Sequence, residues 1–192
     1  KMDPEKSMIL MGASTGGTMV IEKILSKLDH RIMPPIAVVQ HIPPFFSKSF
    51  ADRLNKLFPF NVYEAVNGKL MLPGDVIIAE GGKHLMVQKK PEGFAALVKD
   101  GPKVNRHQPS VDVLFKSASL VLRSNAIGVL MTGMGVDGAA GMAELKNRGA
   151  LTIVQDRYEC AVAGMPRSAI ELGVVDKELD SERIADYLNS LF

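Results

Sequence analysis

Residues 7–17 read Ser7-Met8-Ile9-Leu10-Met11-Gly12-Ala13-Ser14-Thr15-Gly16-Gly17. The apolar run from Met8 to Met11 is short and closed by glycine, the pattern of a buried parallel strand. From Thr18 to Leu28 the spacing turns helical: Met19, Ile24 and Leu28 recur on one broad face, with Ile21 and Leu25 beside them. A strand, a glycine-rich turn and an amphipathic helix make one βα unit, and the same rhythm continues outward. Pro34-Pro35 punctuates, Ile36-Ala37-Val38-Val39 is a second buried strand, and Phe46, Phe50, Leu54, Leu57 and Phe58 give a second helix closed before Pro59.

The middle of the chain differs. Residues 60–103 hold short apolar runs, Val62-Tyr63-Glu64, Val76–Ala79, His84–Val87 and Phe94–Val98, separated by Gly or Pro turns. These read as strands and hairpins inserted into the framework. The βα rhythm then returns. Ser110 is placed to cap a helix through Val111, Leu114, Phe115, Ala118 and Leu122, and Ala126–Met131 is a strand. Gly138 to Arg148 is helical, Leu151–Gln155 is a strand, and Ser181 is placed to cap a last helix. The expected fold is α/β: a doubly wound, mainly parallel sheet with helices on both faces and an inserted antiparallel hairpin region.

Composition narrows the function. At 192 residues the chain can bury a sizeable core without disulfides or metal. Its 46% apolar and 23% charged residues are the ordinary mixture of a globular protein. With 23 basic residues against 21 acidic ones, the net charge of +2 makes no electrostatic case for nucleic acid or an anionic membrane as the main partner. The single cysteine, Cys160, excludes a disulfide scaffold and a Cys-x-x-Cys metal site, and no basic residue adjoins it to activate a thiol. Four scattered histidines show no zinc-ligand spacing. No apolar run is long enough to span a bilayer, and residues 1–6 are charged rather than signal-like, so the cytoplasm is the expected compartment.

Doubly wound sheets place their sites beyond the carboxyl ends of the strands. The first strand ends in Gly12-x-Ser14-x-Gly16, the Gly-x-Ser-x-Gly pattern that exposes a serine hydroxyl between strand and helix, with the Thr15 N–H as the natural oxyanion donor. The bland alternative is a turn in which Ser14 or Thr15 merely caps the helix. The second strand ends at Gln40-His41, held by Ile42-Pro43-Pro44, which puts His41 in the same crevice if the strands are neighbours. His30 reads as a solvated loop residue, and His84 and His107 are weaker candidates beside the hairpins. The strand Ala126–Met131 leads to Asp137 at the start of a helix. There a capping role and an ionised partner for a histidine Nδ1–H are compatible. Ser14, His41 and Asp137 therefore form a candidate nucleophile, base and orienting acid.

A rival motif occupies the last segment. Gly133-x-Gly135-x-x-Gly138 follows a strand and precedes a helix, and Asp156 lies 18 residues beyond Gly138, close to a dinucleotide-binding fingerprint. Against it, Asp137 would set a carboxylate beside the pyrophosphate, and the motif comes late in the chain. No cofactor is expected.

With these residues in view, the chain resembles the catalytic domain of the bacterial chemotaxis protein-glutamate methylesterase family over nearly its whole length. The resemblance rests on Gly12-Ala13-Ser14-Thr15-Gly16-Gly17, Val39-Gln40-His41-Ile42-Pro43, Pro109-Ser110-Val111-Asp112, Leu130 to Ala139, Gln155-Asp156 and Gly164-Met165-Pro166. It implies a catalytic triad at Ser14, His41 and Asp137, with a second oxyanion donor at the backbone of Met134. It implies hydrolysis of glutamyl γ-methyl esters on the cytoplasmic helices of chemoreceptors, and deamidation of receptor glutamines in related members. The family normally carries an N-terminal phosphorylatable receiver domain. None is recognisable here, so residues 1–192 are expected to form a single catalytic domain with 1–6 as a linker remnant. One departure is Gln108, where the family usually has Arg, so no charge-based role is carried to that position.

Overall fold

The computed structural model describes residues 1–192. Seven strands form one sheet: β1 (Met8–Ala13), β2 (Ile36–Gln40), β3 (Asn61–Glu64), β4 (Asp75–Ile78), β7 (Ala126–Leu130), β8 (Leu151–Gln155) and β9 (Lys177–Leu179). Their order is β3-β4-β2-β1-β7-β8-β9, and every pairing is parallel. Strands β5 (His84–Lys90) and β6 (Gly93–Lys99) form a separate antiparallel hairpin. The expected α/β architecture holds, with one correction in the middle segment. Val62-Tyr63-Glu64 and Val76–Ala79 supply parallel strands of the main sheet, and only the last two runs make the insertion. Four-residue strands carry too little pattern to distinguish a hairpin arm from a buried parallel edge.

The sheet is covered on both sides because successive side chains of each strand alternate in direction. Ile9, Met11, Ile36 and Val38 face α1 (Gly17–Lys27), α2 (Phe46–Leu57) and α6 (Ser181–Leu191) in a cluster of 25 buried residues. Met8, Leu10, Ala37 and Val39 face α3 (Val111–Leu122), α4 (Ala139–Asn147), α5 (Gly164–Glu171) and the hairpin in a cluster of 26. Two apolar layers of nearly equal size are what a doubly wound sheet requires, since neither face can meet water. The helical faces differ in detail from the sequence expectation. Met19 is 78% exposed, and Val20 takes the core position beside Ile21, Ile24 and Leu25. Phe46 and Leu57 likewise face outward, while Ser47, Phe50, Ala51 and Leu54 pack inward.

The chain runs outward from β1 to one side of the sheet, then returns to pair β7 with its other side and continues to β8 and β9. That reversal opens a crevice at the carboxyl ends of β1 and β7, where open α/β sheets bind ligands. Register fixes what enters it. Ala13 lies opposite Gln40, so Ser14 and His41 leave adjacent strands side by side, and the Ser14 N–H donates to Thr132 O just past β7.

Candidate active site

Ser14 stands on the turn between β1 and α1, but the turn is a relaxed form of the expected elbow. The left-handed backbone angle falls on Gly16, at φ 82°, and not on the serine. Ser14 is held from three sides: its N–H by Thr132, and its carbonyl by the Gly17 N–H at 2.8 Å and the Gln40 side-chain amide at 2.8 Å. The Thr132 hydroxyl also sits within 2.9 Å of the Thr15 carbonyl. Gly133 lies directly behind the serine, where a Cβ would come within 2.7 Å of Ser14 Cβ and 2.3 Å of Met165 Sδ. Close backbone approach to Ser14 therefore explains this glycine. The N–H groups of Thr15 and Met134 donate to no protein acceptor, and both residues line a cavity of about 760 Å³ together with Ser14.

His41 and Asp137 meet directly. His41 Nε2 lies 2.7 Å from Asp137 Oδ2, with the two side chains 7% and 1% exposed. The nitrogen involved differs from the expectation, which gave the carboxylate the Nδ1–H. A carboxylate only accepts, so Nε2 carries the proton of the neutral ring and Nδ1 keeps its lone pair. Nδ1 is buried and has no hydrogen-bond partner. No hydrogen bond joins Ser14 Oγ to His41. The two residues line adjoining cavities that share Arg106 and His107. Catalytic hydrogen bonds in unliganded sites are often long and close only around substrate.

Asp137 accepts five hydrogen bonds: from His41, from the Val111 N–H at 2.8 Å, the Asp112 N–H at 3.1 Å, the Ser110 hydroxyl at 2.8 Å and the Asn105 amide at 2.9 Å. Burial pushes its pKa up, but the bonds from His41, Asn105, Val111 and Asp112 outweigh it and hold the carboxyl at about 2. It stays ionised wherever His41 needs an anion.

Three capping expectations are corrected by this network. Asp137 does not cap the helix it precedes; its carboxylate turns to the first amides of α3. The start of α4 is served instead by Asp112, whose Oδ1 accepts from the N–H groups of Gly138 and Gly141 at 3.0 and 2.7 Å. Ser110 occupies the N-cap position of α3, yet its hydroxyl goes to Asp137 and makes no cap. At α6 the cap is Asp180, bonded to the Arg183 N–H at 2.8 Å, while the Ser181 hydroxyl donates to Glu159.

The same geometry argues against the dinucleotide reading at the start of α4. The α4 amides that would receive a pyrophosphate already donate to Asp112, and Gly133 answers to Ser14. No three His, Cys, Asp or Glu side chains gather in a metal-binding cluster. Burial, then the nearby Glu159 and Asp156, push the Cys160 thiol up to about 11, so it is no nucleophile at neutral pH.

The sequence reading missed a strap. Residues 103–109 pass over the site, and His107, ranked there as a weaker candidate, stacks on His41 with ring centroids 3.5 Å apart and planes 6° from parallel. Burial, then the adjacent His41, hold the His107 imidazole below its ordinary value, so it packs as a neutral ring. Asn105 bridges the two carboxylates, donating to Asp112 at 2.7 Å and to Asp137 at 2.9 Å. His84 is structural: Nε2 meets Pro102 O at 2.8 Å and Nδ1 accepts from the Ser110 N–H at 3.3 Å. The polar run Asn105-Arg106-His107-Gln108 between Pro102 and Pro109 was the one available signal for the strap.

A serine hydroxyl, an imidazole with a free buried lone pair, a buried carboxylate and two unengaged amides at one strand-end crevice are equipped for acyl transfer. Comparison with known proteins narrows this chemical class. A family model described as CheB methylesterase matches residues 9–188. Protein-glutamate methylesterase/protein-glutamine glutaminase 2 of Chromobacterium violaceum is 51% identical over 178 residues, covering 93% of this chain and 50% of that protein. The protein-glutamate methylesterase/protein-glutamine glutaminase of Photorhabdus laumondii is 49% identical over 175 residues, covering 91% and 50%. The crystal structure of the Thermotoga maritima CheB methylesterase catalytic domain matches with a TM-score of 0.94 at 36% identity, covering 97% of this chain and 98% of that one. The chain belongs to the CheB methylesterase family. It spans about half the length of the curated relatives it matches.

Proposed function

We propose that this chain hydrolyses γ-methyl esters of glutamyl side chains on chemoreceptors, with Ser14 as nucleophile, His41 as general base and acid, and Asp137 as its orienting partner. The observation that carries the reading is the Asp137 carboxylate on Nε2, which leaves the buried Nδ1 lone pair of His41 as the base. Nδ1 takes the Ser14 proton as Oγ attacks the ester carbonyl, and the Thr15 and Met134 amides receive the oxyanion. As the tetrahedral intermediate collapses, Nδ1–H protonates the departing methoxide, which is too basic to leave unaided, and methanol is released. Water, deprotonated at the same nitrogen, then attacks the acyl-enzyme, giving glutamate and free Ser14. A primary amide in place of the ester would release ammonia by the same steps, more slowly because nitrogen is the poorer leaving group. The relatives' printed glutaminase names support that second reaction.

The remaining assignments belong to the same reading. Residues 1–192 act as one catalytic domain in the cytoplasm and meet the cytoplasmic helices of methylated chemoreceptors. In a longer protein, an N-terminal phosphorylatable receiver domain controls access. No helix is long and apolar enough to cross a membrane. The test is methanol release from methylated chemoreceptor membranes by this chain alone. Ser14→Ala is expected to fold and to lose about 10⁴-fold or more in turnover, as nucleophile deletions in serine triads do. Unchanged methanol release from folded Ser14→Ala protein would remove Ser14 from the mechanism.

A further inference from the structure

The strap over the site is built around a two-residue turn. Val104 and His107 exchange N–H···O bonds of 2.9 Å, and between them Asn105 and Arg106 hold φ values of 52° and 69°. Paired left-handed residues are the geometry of a tight hairpin turn, a role that Asn fills readily and Arg rarely. The turn is pinned in place by the Asn105 amide between Asp112 and Asp137. Its effect is to set the Arg106 side chain at the lip shared by the Ser14 cavity and the adjoining His41 cavity of about 410 Å³.

The charges around this lip have one sign. Arg106 and Lys103 line the cavities, and no Asp or Glu does. Neither cation forms an ion pair with any carboxylate of the chain; the acid nearest in sequence, Asp100, is bound to Lys83 at 3.1 Å. Asp112 and Asp137 lie behind the strap, buried and saturated by amide and hydroxyl donors. The chain's overall charge of +2 is nearly balanced, so this cationic lip is a local feature. An unpaired guanidinium held in a left-handed backbone beside the nucleophile is suited to a planar anion brought by the substrate.

We propose that Arg106, assisted by Lys103, docks carboxylates that flank the esterified glutamyl residue, so that the enzyme selects acidic polypeptide segments. The inference rests on the esterase reading for what lies at Ser14, and it specifies what surrounds the ester. The unreacted ester is neutral, so the docking charge has to come from its neighbours. Gln108, which also lines the His41 cavity, supplies no charge, so the selection falls on Arg106 and Lys103.

The test uses two synthetic peptides with one γ-methyl glutamyl residue, flanked on both sides by Glu in one and by Gln in the other. For the wild-type chain, kcat/KM is expected to favour the Glu-flanked peptide by about tenfold at about 50 mM salt and by less than about threefold at about 300 mM. Arg106→Gln should lower that preference to about twofold, through KM more than kcat, and Arg106→Lys should keep part of it. Using the ratio between peptides cancels any general loss from misfolding. Equal use of both peptides by the wild type, or an unchanged ratio in Arg106→Gln, would overturn the proposal. The binding of both peptides to Ser14→Ala protein is measured by fluorescence anisotropy alongside. If neither peptide is hydrolysed, the esterase reading fails, while a Glu preference in binding that Arg106→Gln abolishes still supports the docking site, and its absence overturns it.

Discussion

Helix α6 is capped by the residue that precedes it, whereas α3 and α4 are each capped by a residue from the other's start. Asp180 sits immediately before α6 and accepts from the Arg183 N–H, the ordinary local arrangement. At the site, Asp137 precedes α4 but binds the first amides of α3, and Asp112 lies in the first turn of α3 but binds the amides of α4. Asn105 closes the exchange by donating to both. A local cap stabilises one helix and can be lost alone. An exchanged pair locks two helix N-termini to the crevice between β1 and β7, and the orientation of His41 depends on that lock. The site is thus built from elements that cannot shift independently.

The largest effect tests whether the exchanged carboxylate at Asp137 differs in kind from a cap. Asn caps a helix about as well as Asp, so for a plain cap Asp137→Asn would be nearly silent. Here the amide must meet five donors with a single acceptor oxygen, and its NH₂ faces N–H groups or the His41 nitrogen. Turnover is expected to fall by about 10²–10³-fold, because the Nε2–H tautomer loses its acceptor. Stability is expected to fall by about 1–3 kcal/mol, the cost of leaving a buried donor unpaired. Esterase rate and urea unfolding on one protein measure both. A rate loss without destabilisation would mean the cap survives the change; no change in either would reduce the site to Ser14 and His41.

The two exchanged acids should also respond to pH with opposite sign. Asp137 is held at about 2 against an ordinary 3.8. Its folded-state pKa lies below the unfolded one, so its stabilisation is complete above about pH 4 and is lost as pH falls through about 2, a total of about 2 kcal/mol. Asp112 is shifted upward, chiefly by burial, against the bonds from Gly141 and Asn105 that lower it. Its ionisation works against folding, and acid relieves that penalty. Between about pH 5 and pH 2 the unfolding free energy of Asp137→Asn should therefore fall less steeply than that of the wild type, and that of Asp112→Asn more steeply. The same slope in both variants would show that the two carboxylates are equivalent.

How much of this the sequence disclosed follows from the range of each interaction. The strands β1, β2, β7 and β8 are readable because each is an apolar run closed by turn residues, and Ser14, His41 and Asp137 can be placed at the carboxyl edge of the sheet because all three follow such runs. The strands β3 and β4 were misplaced because four residues do not encode their partners. The nitrogen of His41 that meets Asp137 depends on ring orientation, which no residue type specifies. The exchanged caps were illegible for a similar reason: Asp112 and Asp137 each stand near a helix start, and only the packing of α3 against α4 decides which start each one serves. The His41–His107 stack joins positions 66 residues apart through a loop with no periodicity.

The smallest effect is at α6, and it is the control for the others. Asp180 makes one cap bond, to the Arg183 N–H, and an exposed 3.9 Å ion pair with the Arg183 side chain that contributes little. Asp180→Ala should cost about 1 kcal/mol, the usual value of an N-cap, and Asp180→Asn only a few tenths. Esterase turnover should be unchanged in both, because α6 packs on α1 on the sheet face away from α3 and α4 and contributes no residue to the Ser14 cavity. Asp112→Asn, which also alters one cap, is expected to differ in this respect. It places an amide against the Asn105 NH₂ and loosens the strap that carries Arg106 and His107. Equal stability losses in Asp180→Ala and Asp112→Asn, with a rate loss only in the latter, would locate the difference between a local and an exchanged cap in the site it holds. A rate loss in Asp180→Ala would instead mean that the N-terminus of α6 communicates with the crevice through Glu159, which accepts from the Ser181 N–H and hydroxyl and from the Gln155 amide.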